Sequence, residues 1–135
     1  MRSRDVKISR SVPSEPVMVL ADRLRLEQVI INLLRNAMDA TKVVPNAQID
    51  MILSVGETAT LTVRDNGHGI DNLDELFEPF YTTKQPGDGT GLGLAISSGI
   101  VNDLGGRLTA RNGDQGGAVF EMQLPLLDDG MAAAE

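Results

Sequence analysis

The sequence predicts an α+β two-layer sandwich in which a mixed, mostly antiparallel sheet packs against about three helices. Two long segments carry apolar residues at helical spacing, and the strand-like segments are joined mainly by short hairpin turns. The 135 residues are enough for one domain with a two-layer core. Because only 3% of the residues are aromatic whereas 41% are hydrophobic, we expect that core to be aliphatic.

The first part of the chain leads into a long helix. Residues 1–14 are a polar lead-in with an edge strand at 6–8, and residues 17–20 are predicted as a short buried strand. Asp22 is the predicted N-cap of a helix that runs to about Lys42. Apolar residues recur on one side of this helix, which predicts that it packs against the sheet.

Two hairpins and a second helix follow. Residues 49–55 and 58–63 form the first predicted hairpin, and a second long helix spans 92–104 before a Gly-Gly stop. The last hairpin joins 107–111 to 118–124. These hairpins are the reason for expecting a mostly antiparallel sheet.

The segments between these elements have a different composition. A glycine-rich loop covers 65–70, a short helix is predicted at 71–76, and the glycine and proline content of 81–90 predicts a mobile loop. We therefore expect the folded domain to occupy residues 15–126, followed by an acidic disordered tail at 127–135.

The composition excludes several classes of function. The 12 basic and 19 acidic residues give a net charge of −7, whereas a nucleic-acid-binding surface needs a basic footprint. The chain has no cysteine, so it forms neither disulfides nor thiolate metal sites. No apolar run approaches the roughly 20 residues of a membrane span, and the N-terminus does not resemble a signal peptide. We expect a cytoplasmic domain that makes no membrane contact itself.

Asn32 and Asn36 are the most informative residues of the chain. They lie four positions apart in the first predicted helix, so their side chains project from the same face. A carboxamide is costly to bury without a partner, and it can offer its oxygen to a hard cation or its N–H groups to an anion. At this point two interpretations are open, a solvated stripe on the helix or a site for a metal–phosphate ligand.

The segment 65–70, Asp-Asn-Gly-His-Gly-Ile, directly follows a predicted strand. Its two glycines let the backbone approach a flat ligand closely. A buried Asp65 could accept a hydrogen bond from the amino group of adenine, and guanine has a carbonyl at that position. Taken alone, the segment could equally be a tight turn. His68, the only histidine, is interpreted as an incidental loop residue.

Two further motifs follow. In residues 77–84, two of the three phenylalanines should anchor a corner of the fold, and Lys84 is either a solvated surface lysine or a phosphate contact. Residues 89–94, Gly-Thr-Gly-Leu-Gly-Leu, open the second predicted helix, where backbone N–H groups and the helix dipole favour an anion. This motif is neither a Walker A loop nor a dinucleotide-binding fingerprint.

The order and spacing of these motifs resemble the catalytic, ATP-binding domain of sensor histidine kinases, in the superfamily that includes gyrase-type and MutL-type ATPases and Hsp90 chaperones. The helix 22–42 is similar to the N box of that family, 65–70 to its G1 box, 77–80 to its F box and 89–94 to its G2 box. The resemblance covers about residues 15–126 and implies the Bergerat-type ATP-binding fold. The residues within the motifs are similar to those of C4-dicarboxylate and nitrogen-regulation sensor kinases.

The resemblance implies a role for each matched residue. Asn32, Asn36 and Lys84 would be the catalytic residues, with Asn36 also the ligand of the Mg²⁺ that bridges the ATP phosphates. Asp65 would read the adenine amino group, and residues 81–89 would form a lid over ATP. The implied nucleotide-binding set is Asn32, Arg35, Asn36, Asp39, Ala40, Asp65, Gly67, Gly69, Ile70, Thr82, Thr83, Lys84, Gly89, Thr90, Gly91, Leu92, Gly93 and Leu94.

Asn32 separates a kinase from a hydrolase within this superfamily. The ATPases that the chain resembles place a glutamate at the matching position, where it acts as general base on the attacking water. An amide cannot take that proton, and general-base help is worth roughly 10²–10⁴ in rate. The resemblance therefore implies slow hydrolysis of ATP and transfer of its γ-phosphoryl group to another nucleophile.

The implied acceptor is a histidine on an upstream helical dimerisation hairpin, which this sequence does not contain. We therefore expect the isolated catalytic domain of a two-component kinase, which acts on that hairpin and indirectly on a response regulator. Two alternatives stay open: a gyrase-like or MutL-like ATPase switch, and an anti-sigma-type serine kinase or binding module.

Overall fold

The computed structural model describes residues 6–71, 73, 76–77, 93–114 and 116–127. This part of the chain forms five strands and two α-helices. The strands are β1 (Lys7–Ser11), β2 (Gln48–Val55), β3 (Thr58–Asp65), β4 (Arg107–Asn112) and β5 (Ala118–Pro125). The helices are α1 (Arg23–Ala40), between β1 and β2, and α2 (Gly93–Asp103), between β3 and β4.

The five strands form one mixed sheet in the order β1-β2-β3-β5-β4. β1 runs parallel to β2, whereas the other three neighbouring pairs are antiparallel. The predicted α+β sandwich is therefore confirmed, together with its edge strand and both hairpins. The predicted number of about three helices is slightly too high for the described residues, which contain two. Half of the residues expected to form the short helix at 71–76 lie outside them.

The hydrophobic core lies between one face of the sheet and the two helices. On α1, Val29, Leu33 and Ala37 are buried, and their spacing of four residues places them on one side of a helix. Burial alternates along β3, where Leu61 and Val63 face the core, as the two-residue period of a strand requires. The polar positions of α1 and the end of β3 are thereby held in fixed places around this core.

The ends of both helices follow the sequence. Asp22 caps α1 as predicted, since its Oδ1 accepts hydrogen bonds from two N–H groups of the first turn at 3.0 and 3.4 Å. α1 ends at Ala40, slightly before the predicted end, and the buried Thr41 follows it as C-cap. Gly105 has a φ of 81° just after α2, the left-handed conformation in which glycine commonly ends a helix.

The short buried strand predicted at residues 17–20 is wrong. Met18 and Leu20 have 60% and 65% of their surface exposed, and the segment belongs to no strand. Within the described residues it makes one backbone hydrogen bond, from the N–H of Leu127 to the carbonyl of Met18 at 2.9 Å. This single hydrogen bond is not part of a ladder with a neighbouring strand, so the segment stays outside the sheet and leads into α1.

Several predicted features lie partly or wholly outside the described residues. Phe77 is described and packs half-buried against the core, but the rest of the corner at 77–84 is not described. The same holds for the predicted mobile loop at 81–90 and for the tail beyond Leu127. Among the residues that are described, no helix is long and apolar enough to cross a membrane.

Candidate functional site

Helix α1 presents Asn32 toward the beginning of α2. Asn32 is half-buried, and its Nδ2 donates a hydrogen bond to Oγ of Ser97 on α2 at 3.1 Å. A Cβ atom placed on Gly93 would lie 3.9 Å from Cγ of Asn32. The first glycine of α2 therefore lies directly beside the first of the two asparagines.

Asn36 lies one turn further along α1 and is half-buried. Within the described residues its carboxamide makes no hydrogen bond, and none of its polar atoms is buried without a partner. The amide is therefore accessible to a ligand from outside the chain. Arg35 beside it is exposed, and Asp39 and Ala40 are half-buried in the last turn of the same helix.

The loop after β3 is fixed against the C-terminal end of α1. A Cβ atom on Gly67 would lie 2.2 Å from the carbonyl oxygen of Ala40, so only glycine permits this approach. The N–H of His68 donates to the same carbonyl at 3.3 Å. Asn32 and Ala40 are about 12 Å apart along the helix at a rise of 1.5 Å per residue. The start of α2 and the loop after β3 thus contact two ends of one stretch of α1.

Asp65, the last residue of β3, is an acidic residue in a buried position, with 5% of its surface exposed. Its Oδ1 accepts two backbone hydrogen bonds, from the N–H of Gly67 at 2.8 Å and from the N–H of Ala118 at 3.3 Å. In the part of the chain that the structure describes, no hydrogen bond ends on Oδ2. The two donors set the orientation of the carboxyl group, and Oδ2 remains available to a donor on a ligand.

Burial raises the pKa of Asp65 above the ordinary value of 3.8. The two backbone hydrogen bonds and the charge of nearby His68 lower it again, but they do not cancel the effect of burial. The stability that the protonated acid contributes is fully present below the unfolded pKa and is lost as the pH rises through the folded pKa. Ionised Asp65 therefore destabilises the folded state at neutral pH.

We expect Asp65→Asn to remove this destabilisation. The amide keeps an oxygen for the two backbone donors but does not ionise, so the variant should gain stability over wild type at neutral pH and much less at about pH 3.5. Urea unfolding at both pH values measures the two differences. Asp50 also has a shifted pKa, which is lowered chiefly because Ser9 donates a hydrogen bond to it. Because Asp50 is present in both proteins, its contribution cancels from the difference in stability between variant and wild type. If variant and wild type differed in free energy of unfolding by the same amount at both pH values, this would contradict a raised pKa for Asp65.

Two asparagines anchor the loop after β3 on opposite sides. Asn66 contacts the start of β2, where its Oδ1 accepts from the N–H of Gln48 at 2.8 Å and its Nδ2 donates to the carbonyl of Asn46 at 2.7 Å. Asn112, at the end of β4, holds Ile70. Its Oδ1 accepts from the N–H of Ile70 at 2.6 Å, and its Nδ2 donates to the carbonyl of Ile70 at 3.1 Å. Side-chain amides therefore fix both ends of the loop.

Four residues that shape this region were not in the predicted set: Asn66, Ser97, Asn112 and Gly117. Gly117 has a φ of 75°, and a Cβ atom there would lie 1.9 Å from the carbonyl oxygen of Asp65. The Gly-Gly pair before the last strand was a signal for Gly117, but it was interpreted only as part of a hairpin turn. Ser97 and Asn112 carry no local signal, because nothing in their neighbours distinguishes them from other polar residues.

The structure places one part of the predicted set and leaves another part outside the described residues. It brings Asn32 next to Gly93, and it brings Ala40 next to Gly67. Leu94, Gly69 and Ile70 are half-buried. The predicted residues that lie outside the described part are Thr82, Thr83, Lys84, Gly89, Thr90, Gly91 and Leu92.

Side chains alone do not complete the coordination shell of a metal ion at this site. Among the described residues, no three His, Cys, Asp or Glu side chains are placed to hold a metal ion. Asn36 offers a neutral oxygen, and Mg²⁺ commonly takes one or two protein oxygens and completes its shell with phosphates and water. These donors fit Mg²⁺ as the partner of a bound phosphate ligand.

A surface depression of about 340 Å³ lies elsewhere on the molecule. It is near the first residue of β3, about 23 Å along the strand from Asp65 at a rise of about 3.3 Å per residue. It shares no residue with the predicted set, so it is not the candidate site. The residues that line it are Glu57, Thr58, Gly105, Gly106, Arg107, Gln123, Leu124, Pro125 and Leu126.

Comparisons with known proteins point to the same kind of domain as the motifs. The family model of the histidine kinase-, DNA gyrase B- and HSP90-like ATPases matches residues 21–128. The C4-dicarboxylate transport sensor protein DctB of Pseudomonas aeruginosa is 43% identical over 127 residues, and DctB of Rhizobium meliloti is 45% identical over 113 residues. These matches cover 91% and 81% of this chain. The chain spans 21% and 18% of the two relatives.

Solved structures of kinases have a similar fold. The nucleotide-free catalytic domain of the histidine kinase ThkA matches with a TM-score of 0.77 and 33% identity, over 89% of this chain and 80% of that chain. Full-length ShkA in complex with AMPPNP matches with a TM-score of 0.71 and 30% identity, over 90% of this chain and 26% of that chain. These relatives and structures are sensor proteins and histidine kinases, which favours a kinase over a gyrase-like switch or an anti-sigma factor.

Proposed function

The chain belongs to the histidine kinase-, DNA gyrase B- and HSP90-like ATPase family and is a catalytic domain of the histidine kinase type, and on this basis we propose how it acts. It binds Mg²⁺-ATP along α1 and transfers the γ-phosphoryl group to a histidine on the dimerisation segment of its parent kinase. The match to this ATPase family supports ATP as the nucleotide.

The base end of the site is formed by residues 65–70 and Ala40. Oδ2 of Asp65 accepts a hydrogen bond from the amino group of adenine. The observation that supports this role most strongly is the fixed carboxyl group of Asp65, whose Oδ1 is held by two backbone donors while Oδ2 has no partner among the described residues. Gly67, Gly69 and Ile70 shape the pocket around the base.

The phosphate end is formed by Asn32, Asn36 and the start of α2. Asn36 would hold a Mg²⁺ ion beside the phosphates, and its carboxamide makes no competing hydrogen bond with the described residues. Such an ion would supply charge neutralisation at the phosphates. Asn32 supports the phosphates or the metal, with Arg35 and Asp39 on either side. The remaining phosphate contacts are assigned to Thr82, Thr83, Lys84, Gly89, Thr90, Gly91, Leu92, Gly93 and Leu94.

Asn32 also determines what happens to the bound ATP. Its Nδ2 is committed to Ser97 at 3.1 Å, and a neutral amide does not remove a proton from water. Positioning and charge neutralisation dominate phosphoryl transfer, so the site is competent as soon as an acceptor nucleophile is aligned. Transfer to a protein side chain is therefore favoured over hydrolysis.

We expect Asn32→Glu to raise ATP hydrolysis by the isolated domain at least about tenfold, because the new carboxylate can accept a proton from the attacking water. The hydroxyl of Ser97 can donate to this carboxylate, so the variant keeps a partner on α2. Phosphate release is the measurement. Asn32→Gln is the matched control, since it cannot accept a proton, and it should stay as slow as wild type. Equally slow release from all three proteins would contradict the role assigned to Asn32.

The acceptor and the signalling partners lie beyond this chain. His68 is exposed, and its backbone N–H is bound to Ala40 at the base end of the site, so it is not the proposed acceptor. The partners are the His-bearing dimerisation hairpin of the parent kinase and, after it, a response regulator. The proposed location of the domain is the cytoplasm, where ATP and response regulators are available, and the parent kinase can be an inner-membrane sensor.

Mixing the domain with radiolabelled ATP and candidate acceptor hairpins tests this function. We expect label on the hairpin that is labile in acid, as a phosphohistidine is. Acid-stable label on a serine of a separate protein would instead support an anti-sigma-type kinase. Rapid release of phosphate without any acceptor, lost in Asn36→Ala, would support a gyrase-like switch.

A further inference from the structure

The β4–β5 turn, taken here with Asn112 at the end of β4 and Ala118 at the start of β5, contacts the base end of the proposed site at three places, although it belongs to none of the four motifs. The side chain of Asn112 holds the backbone of Ile70. The backbone at Gly117 lies against the carbonyl of Asp65. The N–H of Ala118 donates to Oδ1 of Asp65 at 3.3 Å. The turn therefore supports both the carboxyl group and the far end of the loop.

The contact of Asn112 with Ile70 is bidentate. One carboxamide accepts from the N–H and donates to the carbonyl of the same residue, at 2.6 and 3.1 Å. Both backbone groups of Ile70 are thereby occupied, which leaves its side chain as the part that can contact a base. Gly69 has a φ of 82°, and a Cβ atom there would lie 3.0 Å from Oδ1 of Asn112. The loop thus approaches the amide closely.

We propose that Asn112 is a positioning residue for adenine recognition, an inference that rests on the proposed function. Its carboxamide holds Ile70 in place before nucleotide binds, so that the pocket opposite Asp65 is already formed. A loop that is ordered in advance loses less conformational entropy on binding. Asn112 is exposed and need not touch the nucleotide to have this effect.

The selectivity for adenine over guanine distinguishes positioning from a merely structural role. A variant that only lowers the folded fraction weakens apparent binding of ATP and GTP equally, so the ratio of their Kd values stays constant. A variant that loosens the base pocket weakens the contacts that discriminate the base, so the ratio falls. The phosphate end contributes equally to both nucleotides.

The experiment measures Kd for Mg²⁺-ATP and Mg²⁺-GTP by calorimetry or competition. We expect Asn112→Ala to raise the Kd for ATP about tenfold, because the variant loses both hydrogen bonds to Ile70. The Kd for GTP divided by the Kd for ATP should fall by a similar factor. Asn102→Ala, on the exposed side of α2, is the matched control and should change neither value. Asn112→Asp keeps the acceptor for the N–H of Ile70 but places a carboxylate oxygen against the carbonyl of Ile70 in place of the donating NH₂ group. It should therefore also raise the Kd for ATP and lower the ratio, which provides a second variant if Asn112→Ala folds poorly.

Amide exchange in the nucleotide-free protein supplies an independent measurement. The N–H of Ile70 should exchange at least about ten times faster in Asn112→Ala than in wild type, for the loss of its acceptor, whereas the N–H of Phe120 in β5 should not change. Unchanged selectivity in both Asn112 variants, with wild type binding ATP normally, would overturn this inference and leave the proposed function intact. Wild type that binds neither nucleotide would overturn the proposed function and this inference with it.

Discussion

Asp65→Asn should weaken ATP binding by at least about tenfold while the protein remains folded. The two N–H donors on Oδ1 force the amide of the variant to place its oxygen on that side. Its NH₂ group then replaces Oδ2 and faces the amino group of adenine, so two donors meet where a donor and an acceptor met before. Calorimetric titration with Mg²⁺-ATP measures the loss.

The same variant should change its preference among purines. An NH₂ group at the position of Oδ2 can donate to a 6-oxo purine, so the ratio of affinities for ATP and inosine triphosphate should shift toward inosine triphosphate. Asp50→Asn is the matched control, because Asp50 is bonded to Ser9 and Arg64 across β1–β3 and is not part of the site. Unchanged affinity for ATP in Asp65→Asn would remove the assignment of the base pocket.

Gly117→Ala should lower the free energy of unfolding by about 3 kcal/mol or more, as expected when a backbone collision adds to an unfavourable φ. The added Cβ would lie 1.9 Å from the carbonyl oxygen of Asp65 and 2.8 Å from its carbonyl carbon. Both are backbone atoms of a central strand, so neither can move away without disturbing the β3–β5 pairing. Urea unfolding measures the loss.

The neighbouring glycine separates the two causes of this loss. Gly116 has a φ of 97°, but a Cβ atom there would meet no atom within 4 Å. Gly116→Ala should therefore lose only the conformational part, about 1 kcal/mol. The difference between the two variants is the effect of the collision with Asp65. Equal losses would show that Gly117 is not in close contact with β3.

The elements that the sequence predicted well are those governed by local rules. The cap at Asp22, the helix around Asn32 and Asn36, and the hairpin at Gly56 depend on residues within a few positions of one another. The prediction at residues 17–20 was wrong because a strand needs a neighbouring strand. Four apolar residues in a row do not show whether the fold places another strand beside them.

In the candidate site too, the sequence predicted the residues of the motifs but not their distant partners. The four motifs placed the asparagines and the glycine loop in the right elements, but they did not indicate which polar groups support them. Asn66 lies inside a motif and contacts the start of β2, whereas Asn112 lies outside every motif and holds the same loop. The residues next to each asparagine in the sequence do not indicate that its side chain holds this loop.

Periodicity, capping and turn chemistry in this chain are sufficient to predict its two long helices and its hairpins. The kinase family is indicated by the resemblance of the four motifs, in their order and spacing, to those of sensor histidine kinases. The contacts that complete the site join residues far apart in sequence: Asn32 and Ser97 are 65 positions apart, Asp65 and Ala118 are 53 apart, and Ile70 and Asn112 are 42 apart. The first of these contacts joins the two helices where they pack together. The other two exist because the order β3-β5-β4 brings the β4–β5 turn beside the end of β3. Hydrogen bonds of this kind depend on how the layers pack, and no local pattern of residues encodes that packing.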